Sequence, residues 1–187
     1  RTNGQVAGFK GAVGEFPDAQ IIKIDTKNTL EESFTQMNNV IGRIPEGVPI
    51  MVTAINDQAA TGMLRAVKQA GREADLIVVG MGADEIQTLI DEPAFVASVG
   101  YFPERYGNFL VPLALMELAG KDVPDTVLMT HYMVTDGNVC EFYKDFACSA
   151  TPDAITFELP EAAYKAHLEE IRKLPELQDS LNLIPTN

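Results

Sequence analysis

From Val6 to Val134 the apolar positions follow two alternating rhythms. Spacings of three and four residues mark helices, and short, nearly unbroken apolar runs mark strands covered on both faces. Val6, Phe9, Val13 and Phe16 form the first helical stripe, which predicts a helix over Gly4–Phe16 ended by Pro17. Ala19–Ile24 reads as a strand. Leu30–Ile41 reads as a helix with Leu30, Phe34, Met37 and Ile41 on one side. Strand Val48–Ala54 follows, then helix Gln58–Ala70 with Gly71 at its stop. Strand Asp75–Val79, short helix Glu85–Ile90 and strand Phe95–Val99 continue the alternation. Pro103–Ala119 is a long helix opened by its proline, and Val127–Val134 is the last strand. This alternation predicts an α/β fold built on an open parallel sheet flanked by helices. Beyond it, Thr135–Thr156 is loop-rich, Pro160–Lys173 reads as an amphipathic helix with Leu168 and Ile171 inward, and a polar tail closes the chain.

In such a sheet, ligands bind at the carboxyl edge of the strands. Two polar tips lie there. The first carries Asn56 and Asp57, the second runs from Gly80 to Asp84. Asp57 suits the cap of the helix that follows, with direct ligand contact as its alternative, which leaves Asn56 free to face a ligand. An amide suits hydroxyl ligands because it offers both donors and an acceptor. Asp84 either reaches into a cleft or starts the short helix.

The order of these pieces resembles the sugar-binding branch of the periplasmic solute-binding proteins, the type 1 fold shared with the effector domains of LacI-type repressors. The resemblance rests on a hydrophobic strand ending in Asn56-Asp57, an Ala-, Gly- and Leu-containing helix after it, and a next strand ending in Val78-Val79-Gly80. It extends from about Arg1 to Tyr132, through Arg-x-x-Gly at Arg1–Gly4 and Tyr-Phe-Pro-Glu-Arg-Tyr-Gly at Tyr101–Gly107. It implies a ligand-binding lobe over 1–102, a helix over 103–125 that packs on an absent first lobe, and a closing strand, cysteine loop and terminal helix over 126–187. The chain is then expected to be the carboxyl-terminal part of a longer, two-lobed protein. Helix Pro103–Ala119, with its apolar load, is expected to find its partner in a second copy.

Residue by residue, the resemblance implies that Asn56 hydrogen-bonds ligand hydroxyls and that Arg1 grips hydroxyls or a carboxylate, with Asn3 and Gln5 as alternatives at that position. Tyr101 aligns with a polar hinge residue and either stacks on a sugar face or packs between lobes. Gly82 departs from the pattern, because many relatives carry a ligand-binding Asp there. The implied function is the substrate-binding component of an ABC-type sugar or polyol importer, periplasmic, working with a membrane permease and without a cofactor. The effector lobe of a LacI-type repressor is the alternative, and a sensor lobe serving a membrane receptor is a third.

Charge and composition narrow this further. A net charge of −13 opposes nucleic-acid binding, which needs a basic face. No Walker loop, nucleophile elbow or zinc-protease motif occurs, and Gly80-x-Gly82 is followed by Glu85 where a dinucleotide fingerprint needs a small residue, so no enzyme is expected. Arg1 leads straight into the first helical pattern, so no signal peptide is expected within these residues, and no run is long enough for a membrane span. His131 and His167 lack partners at metal spacing and read as structural. Cys140 and Cys148 either form a local disulfide or stand as two free thiols.

Overall fold

A computed structural model describes residues 2–14, 16–124 and 131–149, together with positions 169, 172, 173, 175 and 178. The chain divides into two compact units, one of Arg1–Gly100 with Met133–Thr156, the other of Tyr101–Tyr132 with Phe157–Asn187.

The first unit is an α/β layer. Its strands are β1 (Ile50–Thr53), β2 (Leu76–Gly82), β3 (Phe95–Gly100) and β4 (Tyr132–Val134), in the spatial order β1-β2-β3-β4. The β1–β2 and β2–β3 pairs are parallel, with Ile50 opposite Leu76 and Gly80 opposite Ser98. Helices α2 (Leu30–Ile41) and α3 (Asp57–Gln69) supply much of the core with Met37, Ile41, Ala59, Ala60, Met63, Leu64 and Val67. The sheet answers with Ile50, Val52, Leu76, Val78 and Phe95. The alternate residues Met51, Ile77 and Val96 are exposed. The period of two thus divides the strands into a buried and an open set, although their apolar runs predicted cover on both sides.

Several predicted boundaries hold. Helix α2 occupies the predicted span, Thr29 accepts from the Glu32 amide as its cap, and Gly71 follows α3 with φ +70°. Others move. Helix α1 covers Thr2–Val13 rather than Gly4–Phe16, because Gly14 takes φ +83° and ends it. Phe16 then folds back to set its ring edge-on against Phe9 at 5.0 Å, which explains why the apolar spacing outlasts the helix. The predicted strand Ala19–Ile24 is a 3₁₀ turn at Asp18–Gln20 followed by irregular chain. A strand exists only with a ladder partner, and among the described residues β1 is the sheet's edge. Ile24 instead packs against the core as an isolated apolar side chain. Strand β2 runs on to Gly82, beyond its apolar residues, because Met81 and Gly82 still pair with Val99 and Gly100.

After β2 comes the short helix α4 (Ile86–Asp91), and after β4 the single-turn helix α6 (Val139–Phe142). Cys140 and Cys148 are joined in a disulfide, which resolves the two alternatives. In the second unit, a 3₁₀ turn at Pro103–Arg105 leads into α5 (Gly107–Leu118), whose Leu110, Val111 and Leu118 are exposed. The predicted helix therefore starts later and as a tighter turn. Of the predicted strand Val127–Val134, only Tyr132–Val134 is confirmed, since 125–130 lie outside the described residues. The predicted helix Pro160–Lys173 lies almost wholly outside them too. No helix among the described residues is long and apolar enough to cross a membrane.

Candidate ligand-binding site

The tips of β1 and β2 meet at the carboxyl edge of the first unit. Here the structure moves the capping role from Asp57 to its neighbour. Asn56, not Asp57, caps α3: its Oδ1 accepts the Ala59 amide at 2.8 Å. Its Nδ2 donates to the Asn28 carbonyl at 2.9 Å, tying down the turn that precedes α2. The reason lies in position. Asn56 has the extended backbone of a cap residue, whereas Asp57 is already the first helical residue. One hydrogen of Nδ2 and one lone pair of Oδ1 stay outside these bonds.

Asp57 turns inward and is 1% exposed. Its Oδ1 accepts the Ser98 hydroxyl at 2.6 Å, and its Oδ2 accepts the amides of Asp84 at 2.9 Å and Glu85 at 3.3 Å. A buried carboxylate is tolerated only when hydrogen bonds replace its water, and these three do so. Gly80 is a glycine because of it: a Cβ there would lie 2.0 Å from Asp57 Oδ1 and 2.6 Å from Phe95 Cζ. The sequence carried a signal for this arrangement, a glycine inside an apolar strand, which marks a close approach.

The second tip is strained. Ala83 is fully buried with φ +55°, a left-handed conformation uncommon for a residue with a side chain. Three side chains hold this bend through four hydrogen bonds. Ser98 Oγ accepts the Ala83 amide at 2.9 Å, Tyr143 donates its hydroxyl to the Ala83 carbonyl, and Asp57 takes the next two amides. Asp84, exposed, follows directly. Burial, then the charge and hydrogen bond of Asp57 and the nearby Glu85, push its carboxyl up to about 6. Helix α4 has no side-chain cap of its own.

Gln5 also reaches this edge, donating to Thr53 Oγ1 at 3.0 Å and to the Ala54 carbonyl at 2.9 Å. The site thus brings Asn56, Asp57, Gly82 and Asp84 to neighbouring strand tips and adds Gln5. Tyr101 belongs to the second unit, where its ring meets His131 edge-on at 6.4 Å. Arg1 lies outside the described residues. Among the described residues, no group of His, Cys, Asp and Glu side chains is arranged to hold a metal ion.

Comparison with known proteins places the chain. A search of curated proteins returned no significant match. Among solved structures, the fructose-binding periplasmic domain of a hybrid two-component system is 28% identical, with a TM-score of 0.61 over 72% of this chain and 45% of that one. An ABC transporter solute-binding protein from Bacillus halodurans, solved with myo-inositol, is 26% identical, with a TM-score of 0.53 over 63% of this chain and 40% of that one. The 5-methylthioribose transporter solute-binding protein of Thermotoga lettingae is 22% identical, with a TM-score of 0.58 over 79% and 50%, and speaks for the fold alone. The chain therefore spans half or less of the length of each of these structures. The profile of the periplasmic binding protein domain matches residues 1–122, well over half of the sequence. The chain belongs to the periplasmic binding protein family.

Proposed function

We propose that the chain supplies one wall of a sugar- or polyol-binding cleft in a solute-binding protein serving an ABC-type importer. One observation carries this reading: in a member of this family, the Asn56 amide and the Asp84 carboxyl stand at adjacent strand tips. Together they offer donors and acceptors of the kind that hydroxyl-rich ligands need. The neighbours solved with fructose-binding and myo-inositol-binding roles support that ligand class. Asn56 is the ligand residue of first rank. Asp84 takes over the acceptor role that relatives place at the position of Gly82, while Asp57 acts from behind. Arg1 and Tyr101 are each proposed as ligand contacts in the intact protein. Function is then affinity coupled to motion: a ligand that binds the closed arrangement better than the open one shifts the protein towards it. In the same reading, the exposed Leu110, Val111 and Leu118 of α5 pack on the other lobe. The Cys140–Cys148 disulfide supports an oxidising location such as the periplasm.

The test is thermal unfolding of the full-length gene product against pentoses, hexoses and polyols. A ligand at a hundredfold its dissociation constant adds about 2.7 kcal/mol of stability, which raises the midpoint by several degrees. No shift across the whole panel removes the sugar reading. A second reading is favoured by the 28% identity to a domain of a two-component system: the closed state signals to a membrane receptor instead of feeding a permease. Ligand-stimulated ATP hydrolysis by a reconstituted importer supports transport, and ligand-dependent receptor phosphorylation supports sensing.

A further inference from the structure

The bend at Ala83 has supports from two directions, and one of them comes from far along the chain. Asp57 and Ser98 act from the neighbouring strands. Tyr143 acts from the segment after β4, sixty residues beyond Ala83 in sequence. That segment has its own internal framework. Asn138, buried, accepts the Thr135 amide at 2.8 Å and donates to the Met133 carbonyl at 3.0 Å. The Ser149 amide returns to the Asp136 carbonyl at 2.8 Å. The Cys140–Cys148 disulfide spans the interval that contains Tyr143, and the Tyr143 ring meets Phe146 edge-on at 6.4 Å inside it. Val139 at its base is fully buried. A residue in the left-handed region keeps its conformation only when its surroundings over-determine it, and such residues gather at ligand sites.

We propose that Tyr143 is a positioning residue for the ligand-facing tip, and that the Cys140–Cys148 loop is the brace that holds it there. By fixing the Ala83 carbonyl, the hydroxyl fixes the direction in which the chain leaves Ala83, and so where Asp84 stands. The brace ties the shape of the cleft wall to a closed covalent loop, which a single hydrogen bond from a freely moving segment could not do. The inference rests on the reading of this edge as a ligand wall. Its test uses no ligand, so it stands or falls apart from that reading.

The measurement is the Asp84 carboxyl titration, followed by carbon NMR in the folded protein, with the Ala83 and Asp84 amide shifts as a second readout. The groups facing Asp84 are the carboxylates of Asp57 and Glu85, and both variants below keep them. In the unaltered protein the midpoint is expected at about 6. Tyr143→Phe keeps the ring and loses the hydroxyl. It is expected to relax the bend, admit water and move the midpoint towards the ordinary carboxylate range, with displaced Ala83 and Asp84 amides. Cys140→Ser with Cys148→Ser is expected to move both readouts the same way. A general loss of stability would lower the unfolding temperature yet leave the midpoint of the folded protein in place. An unchanged midpoint and unchanged amides in folded Tyr143→Phe overturn the proposal. A shift in Tyr143→Phe without one in the serine pair overturns the role of the disulfide. Should the serine pair fail to fold, the same two readouts after reduction of the disulfide in the folded, unaltered protein decide the role of the brace, and Tyr143→Phe decides that of the hydroxyl.

Discussion

The two strand tips of the candidate site look alike in sequence and are built in opposite ways. Each ends a parallel strand, turns, and feeds a helix. At the first tip the turn residue does its own capping: Asn56 has ordinary extended backbone and accepts the Ala59 amide. At the second, Ala83 is forced into the left-handed region and α4 lacks a side-chain cap. Its amides are served by Asp57, a residue of the first tip. The first tip is self-sufficient, and the second is held from outside. The lesson is that a local motif can spend its capping group on a neighbour, so that two sites 27 positions apart behave as one unit.

Removing the shared group tests that dependence most severely. Asp57→Ala leaves the Asp84 and Glu85 amides and the Ser98 hydroxyl without their acceptor. The expected loss of stability is roughly 3 to 5 kcal/mol, read from the urea midpoint. A loss below about 1 kcal/mol would mean that water replaces the carboxylate easily and that the tips are independent.

Next in size is Gly80→Ala, which drives a methyl group into Asp57 Oδ1 and the Phe95 ring. Overpacking of a filled site costs about 1 to 3 kcal/mol. If Asp57 supplies most of the crowding, the same change is cheaper in the Asp57→Ala background, a non-additivity expected of groups in contact. Strict additivity in that double-mutant cycle would assign the clash to Phe95 instead.

At the self-sufficient tip the effects are smaller and divide by chemistry. Asn56→Ala removes the cap and costs about 1 kcal/mol of stability. Asn56→Asp keeps a good cap acceptor but loses the Nδ2 donor and sets a carboxylate oxygen towards the Asn28 carbonyl, so it too costs some stability, on the order of 1 kcal/mol. If Asn56 touches the ligand, both variants weaken binding, by roughly 1 to 3 kcal/mol for the alanine. Calorimetry with whichever sugar shifts the unfolding midpoint reads this, and undiminished affinity in both variants removes Asn56 from the contact set.

The sequence revealed what depends on local pattern. Helix α2 was legible to the residue because Thr29 caps it and its apolar stripe continues to Ile41. The α/β alternation and the parallel sheet were legible in the same way, whereas the spatial order of the strands appears only in the folded chain. What stayed hidden depends on residues distant in the chain. The strand predicted at Ala19–Ile24 has suitable residues and no neighbour to pair with among those described. The division of labour between Asn56 and Asp57 turns on which of two adjacent residues is the first in the helix, a difference of one position that propensity does not resolve. Tyr143 could not be linked to Ala83 by any spacing, since only the folded chain brings the loop back to the tip.

The smallest effect separates the braced tip from the other by its response to pH. The Asp84 carboxyl is raised from 3.8 to about 6 in the folded state, first by burial and then by Asp57. The folded state therefore holds this proton more tightly than the unfolded chain does. Its contribution to stability is complete below the unfolded value of 3.8 and is lost as the pH rises through about 6. A two-unit shift corresponds to about 3 kcal/mol at most. Because Asp84 is exposed, solvent screening reduces this to on the order of 1 kcal/mol. Asp84→Asn cannot titrate there. Relative to the unaltered protein it should gain stability between about pH 4 and pH 6, and the gain should then level off. Other carboxylates tilt both curves alike, so the difference between the two unfolding series is the quantity to read. Parallel series over that interval would show that the charge on Asp84 is well solvated, and that the second tip, for all its strain, is electrostatically as open as the first.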